Sequence, residues 1–216
     1  MPSTIPIRDS DVLVVVDLQP DFMPGGALAV ADGDAVVPLA NTLMRDFAHV
    51  VLTQDWHPPG HASFASTHAA EPFSTARLPY GDQTLWPDHC VQGTAGAALH
   101  AARDVDTPFL ILRKGMNGPV DSYSAFVEAD GKTTTGLAAL LHARGVKRVF
   151  ACGLATDFCV ASTALDARAA GFEVVLIEDA CRAIDREGSL AKAMLDMAAA
   201  CVRQMRSIEF SFVGNK

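Results

Sequence analysis

Val12-Leu13-Val14-Val15-Val16-Asp17-Leu18-Gln19-Pro20-Asp21-Phe22 sets five apolar residues, mostly β-branched, directly before a carboxylate. A run this short and this uniformly apolar reads as a strand buried on both faces, as in a parallel sheet. Comparable runs recur at residues 50–53, 109–112, 149–151 and 174–177, and a sixth strand is expected near 202–206. Segments of helical period fall at about 33–47, 134–144, 157–170 and 187–200. Strand and helix therefore alternate as in right-handed βαβ units, which predicts an α/β fold built on a parallel sheet. Two stretches, 55–96 and 115–133, break the alternation. Both begin at the C-terminal end of a predicted strand, the edge where open parallel sheets bind ligands.

A chain of 216 residues and 22.8 kDa fits one sizeable domain, taken as residues 1–216. Half of it is hydrophobic and 19% charged, which excludes the composition of a disordered protein. A net charge of −8 argues against nucleic-acid and anionic-membrane surfaces, which need clustered Lys and Arg, and leaves a small molecule as the expected partner. The N-terminus lacks the apolar core of a signal peptide and no apolar run reaches membrane-spanning length, so a cytoplasmic location is expected. Five cysteines without regular spacing read as free thiols.

Three strand ends carry chemistry. Asp17 closes the first, Lys114 the third (Leu112-Arg113-Lys114-Gly115), and the fourth runs into Leu154-Ala155-Thr156-Asp157-Phe158-Cys159. A carboxylate, an ammonium and a thiol thus converge on one crevice. Thr156-Asp157 resembles a helix N-cap, which puts Cys159 in a first turn beside unpaired N–H groups that could hold an oxyanion. Both Lys114 and the helix start are expected to lower the thiol pKa. Cys152, Cys181 and Cys201 read as structural; Cys90 adjoins His89.

A second constellation is Asp55-Trp56-His57-Pro58-Pro59-Gly60-His61, with Trp86-Pro87-Asp88-His89-Cys90 further on. An Asp-x-His pair on an extended backbone puts two ligands on one side, and further imidazoles can close the shell of zinc, iron or manganese. His49, His68, His100 and His142 lack such company and read as surface or helix residues.

Five stretches resemble the nicotinamidase/pyrazinamidase branch of the isochorismatase-like cysteine hydrolases: VDLQPDFMPGGALAV (16–30), QDWHPPGHASFASTH (54–68), LWPDHCVQGT (85–94), RKGMNGPVDSYSAF (113–126) and GLATDFCVASTALDA (153–167). The resemblance implies a single-domain, doubly wound, mostly parallel six-stranded sheet flanked by helices. It places a catalytic triad on Asp17, Lys114 and Cys159. It places the ligands of one divalent metal on Asp55, His57 and His89, with His61 a fourth ligand or a residue just behind them. It also implies a cis peptide at Leu154–Ala155, an oxyanion hole from the N–H groups of Ala155 and Cys159, and Phe22, Trp86 and Tyr123 around a pyridine ring. The implied activity is hydrolysis of nicotinamide, and of pyrazinamide, to the acid and ammonia through a cysteine thioester, in NAD salvage. Zinc is the first choice of metal, and assembly into a homo-oligomer is left open.

The nearest rival is a relative acting on another amide or on an enol ether, against which the Asp-x-His and distant His set speaks. A nicotinamide-nucleotide dehydrogenase is disfavoured because no G-x-G-x-x-G follows the first strand. A silent scaffold would lack nucleophile or base, and both are present.

Overall fold

Ten strands and four α-helices succeed one another in the computed structural model, which describes residues 4–212. The order is β1 (Ile5–Ile7), β2 (Asp11–Val16), α1 (Val36–Met44), β3 (His49–Asp55), β4 (Thr75–Leu78), β5 (Gly81–Thr84) and β6 (Leu110–Lys114). It continues α2 (Leu137–Ala143), β7 (Arg148–Leu154), α3 (Ala161–Ala169), β8 (Glu173–Arg182), α4 (Ser189–Ala199), β9 (Arg203–Met205) and β10 (Phe210–Phe212).

Six strands form the main sheet in the order β6-β3-β2-β7-β8-β9, all parallel. β2 and β7 sit at its middle with every residue buried, which is why their sequences lack alternation. Full burial of one such valine contributes roughly 1.5–3 kcal/mol, so a charge at Val14 would break the sheet at its centre. α1 packs on β2, β7 and β8, and α3 on β7 and β8. From β2 the chain winds outward through β3 to β6; from β7 it winds the other way through β8 to β9. The order reverses between β2 and β7, and a crevice opens beyond their C-terminal ends. Gly153 lets the two ends approach there: a Cβ at this position would collide with the backbone of Val16.

All six predicted strands are present. Two helices begin later than their period suggests because left-handed glycines precede them. Gly136 has φ 85° and Gly188 φ 81°, so α2 starts at Leu137 and α4 at Ser189. The antiparallel hairpin β4–β5 and the parallel pair β1–β10 were not foreseen. Cys152, Cys181 and Cys90 are buried, but Cys201, expected to be structural, is exposed in the turn after α4 at φ 59°. His49 opens β3, half-buried and edge-on to Phe109, so it is neither a surface nor a helix residue. Among the described residues no helix is long and apolar enough to cross a membrane.

Candidate active site

Four neighbouring strands of the main sheet, β6, β3, β2 and β7, each deliver one side chain to the crevice. Asp17 follows β2 at φ 49°, Asp55 ends β3, Lys114 ends β6, and Cys159 lies just past β7. The Lys114 ammonium is fully enclosed and reaches Asp17 Oδ2 at 2.8 Å, Asp55 Oδ1 at 2.8 Å, the carbonyl of Ser122 at 3.1 Å and the Cys159 sulfur at 3.4 Å. Asp17, Asp55 and Cys159 present ligand atoms within 4.8 Å of one another. The Thr53 hydroxyl donates to Asp17 Oδ1 at 2.5 Å and accepts the Asp17 N–H at 3.1 Å, which fixes the carboxylate.

Burial would lower the Lys114 pKa, but Asp17 and Asp55 override it and hold the ammonium charged well above its usual range. Burial also raises Asp17, with Lys114 opposing and Asp55 adding to the rise. For Cys159 burial wins over the pull of Lys114 and pushes the thiol well above its usual value, with Asp17 and Asp55 adding to it. This reverses the net lowering expected from the lysine and the helix start.

Cys159 sits in a π-helical turn, Thr156–Val160, that leads into α3. The turn has no side-chain cap, so Thr156-Asp157 is not the N-cap its sequence resembles. Asp157 instead accepts the N–H groups of Ile184 and Asp185 at 3.1 and 2.8 Å, and the Ser189 hydroxyl. The Leu154–Ala155 peptide is cis. The N–H groups of Ala155 and Cys159 belong to the opening of this turn, where helices leave donors without intrahelical partners.

The second cluster adjoins the first through Asp55, whose Oδ2 lies 3.1 Å from His57 Nε2 and 3.6 Å from His89 Nε2. His57 Nδ1 faces the carbonyl of Gly115 at 3.0 Å and His89 Nδ1 that of Pro87 at 2.8 Å. A carbonyl only accepts, so the ring nitrogen facing it is the donor, and both rings direct Nε2 at the Asp55 carboxylate. His61 Nε2 is a buried atom without a hydrogen-bond partner among the described residues, and its ring lies tilted at 37° to that of His57 with the centroids 4.2 Å apart. Asp55, His57 and His89 present ligand atoms within 4.8 Å of one another, and His57, His61 and Asp121 form an overlapping group. The donor set fits a divalent metal ion. Gly115, at φ 67°, is required here because a Cβ would strike the His57 ring.

Above both clusters lies a mostly apolar slot walled by Phe22, Trp86, Tyr123, Phe158 and Ile184. Trp86 meets Phe158 edge-on at 4.9 Å and donates from its indole nitrogen to the Tyr123 hydroxyl at 2.9 Å. Gln83 Nε2 donates to the same hydroxyl at 3.1 Å and to Asp121 Oδ2 at 2.8 Å.

Residues 11–209 match the family described as Isochorismatase domain. The chain belongs to this family. It is 54% identical to a nicotinamidase of Acinetobacter baylyi over 90% of this chain and 92% of that one, and 43% identical to a nicotinamidase of Escherichia coli over 87% and 91%. Among solved structures, an Acinetobacter baumanii nicotinamidase and pyrazinamidase superposes with a TM-score of 0.92 at 51% identity, covering 94% of this chain and 98% of that one. An L. infantum protein in complex with nicotinate gives 0.85 at 42%, covering 96% and 98%, and a Pyrococcus horikoshii pyrazinamidase in complex with zinc gives 0.75 at 37%, covering 91% and 99%. Within the isochorismatase family the chain therefore falls in the nicotinamidase/pyrazinamidase branch.

The crevice of this family member brings together every predicted site residue: Asp17, Lys114, Cys159, Ala155, Phe22, Trp86, Tyr123, Asp55, His57, His89 and His61. Sequence reasoning missed Asp121, Phe158 and Ile184. Phe158 lies four residues past β7 and Ile184 two past β8, and that nearness to a strand end was the available signal. Asp121 had none.

Proposed function

We propose that the protein hydrolyses nicotinamide, and pyrazinamide, to the acid and ammonia, a deamidation that serves NAD salvage. The observation that carries this reading is Lys114, whose one ammonium meets Asp17, Asp55 and Cys159 beneath an aromatic-walled slot. The 54% identity to a nicotinamidase over most of the chain supports it.

In this reading the ring enters between Phe22 and Trp86, beside Tyr123, and its carboxamide carbon comes to rest against Cys159. Holding the ring there makes the attack effectively unimolecular. Asp17 takes the thiol proton, the sulfur–carbon bond forms, and the carbonyl π-electrons move onto oxygen, held by the Ala155 and Cys159 N–H groups. Asp17 then hands the proton to the amide nitrogen, the carbon–nitrogen bond breaks, and ammonia leaves a thioester. Water, deprotonated by the same carboxylate, attacks that thioester; nicotinate departs and the sulfur regains its proton. Lys114 stabilises carboxylate and thiolate in turn. A divalent ion held by Asp55, His57 and His89, with His61 beside it, would supply a Lewis acid for the ring nitrogen; zinc suits two imidazoles and a carboxylate, with iron and manganese the alternatives. The free thiols, four of five buried, fit a reducing cytoplasm.

Ammonia release from nicotinamide, before and after chelation, tests the proposal. Release that chelation abolishes and zinc restores is expected. Metal-loaded protein that leaves nicotinamide intact overturns it.

A further inference from the structure

The loop leaving β2 carries more than the base. Gln19 is fully buried and sends its side chain to the end of β3. Its Nε2 donates to the carbonyl of Asp55 at 2.8 Å and its Oε1 accepts the N–H of Asp55 at 2.7 Å, so one side chain satisfies both backbone groups of that residue. The remaining Nε2 proton goes to the carbonyl of Ala97 at 3.0 Å. Two positions on, Asp21 Oδ2 accepts the N–H of Cys90 at 2.6 Å. Cys90 directly follows His89 and holds φ 48°, a left-handed conformation unusual for a non-glycine residue, at the bend that aims the imidazole. The Asp21 N–H itself donates to the carbonyl of Gly96 at 3.2 Å, where a Cβ would run into the Asp21 carboxylate. Phe22 completes the row edge-on to the His89 ring at 5.6 Å.

Residues 17–22 therefore grip two segments that lie 36 and 69 positions away in the chain, each at the backbone of a candidate ligand. Neither Gln19 nor Asp21 is among the ligating groups. We propose that they are positioning residues of the metal centre, fixing the backbone at Asp55 and His89 so that the base and the ligand set are carried by one bracket. The inference rests on the metal site of the proposed function. Partners that orient ligands in this indirect way typically change metal affinity 10–100-fold when removed.

The test is zinc affinity measured by competition with a chromogenic chelator, on the wild type, Gln19→Met, Asp21→Ala and Asp21→Asn. Gln19→Met keeps the volume and loses the hydrogen bonds; Asp21→Asn keeps an oxygen acceptor for the Cys90 N–H. Thermal melting of each metal-free protein reports folding, and the iodoacetamide labelling rate at Cys159 reports the nucleophile. Zinc binding about 10–100-fold weaker in Gln19→Met and Asp21→Ala, with recovery in Asp21→Asn, a cooperative melt retained in every variant and labelling unchanged, is expected. Wild-type zinc affinity in folded Gln19→Met and Asp21→Ala overturns the inference, as does a parallel loss of Cys159 labelling. A wild-type protein that binds no zinc, iron or manganese overturns the metal site itself.

Discussion

Asp55 Oδ1 lies 2.8 Å from Lys114 Nζ, while the other oxygen of the same carboxylate faces His57 and His89. The nucleophile cluster and the ligand cluster are therefore one electrostatic unit, joined by a buried ion pair. Lys114→Met has nearly the same length but leaves Asp17 and Asp55 buried without their cation. Breaking a buried pair from one side costs about 3–5 kcal/mol. The urea midpoint should fall accordingly and amide hydrolysis should vanish. An unchanged midpoint would show that the ammonium contributes nothing to holding the two carboxylates.

Cys159→Ala removes the attacking atom and touches no ligand. It should abolish ammonia release while metal content, read by elemental analysis, stays at the wild-type level. His57→Ala removes a ligand and part of the wall beneath the ring, and should lose metal together with substrate affinity. Full turnover by Cys159→Ala would sink the triad.

The pH profile follows from burial. Asp17 must be ionised to take the thiol proton, and burial, resisted by Lys114, raises its pKa from the ordinary 3.8. Activity should accordingly fall as pH drops through that raised value, with the midpoint of the acid limb of kcat/KM above 3.8. Because the Cys159 thiol is also pushed up, no limb from spontaneous thiolate formation should appear below its ordinary value of 9.0. A profile that stays flat down to the ordinary aspartate range contradicts Asp17 as the base.

The central strands were legible because burial on both faces writes an unbroken apolar run, as in β2 and β7. Asp17, Lys114 and Cys159 were legible because each follows such a run. The hairpin β4–β5 was not: Thr75–Leu78 and Gly81–Thr84 are short and mostly polar, and their pairing depends on what they cover. The pair β1–β10 joins segments at opposite ends of the chain, beyond the reach of any local pattern. The direction of the Cys159 shift was misread for a related reason. Lys114 can be placed from the sequence, whereas burial of the sulfur arises from segments around 86, 123 and 184 that are distant in the chain and gather about it. The helix starts at Leu137 and Ser189 were obscured by glycines whose left-handed φ is fixed by tertiary context.

Asp157 ties the nucleophile turn to the far wall of the slot. Its carboxylate accepts the N–H groups of Ile184 and Asp185, and Ile184 lines the crevice. On the same loop Arg186 lies 4.1 Å over the ring of Phe73, so the loop spans from the nucleophile turn to the segment before β4. Asp157→Ala leaves two N–H groups and the Ser189 hydroxyl without their acceptor, a loss of about 1 kcal/mol because these part-buried donors can turn to water. With the wall loosened, ring binding weakens more than the chemical step does. KM for nicotinamide should rise about tenfold, equivalent to about 1.4 kcal/mol, with a smaller fall in kcat. Asp157→Asn keeps one acceptor oxygen and should lie between the two. Steady-state kinetics on the three proteins decides the matter: an unchanged KM with a collapsed kcat would mean that Asp157 acts on the Cys159 turn and not on the wall that Ile184 forms.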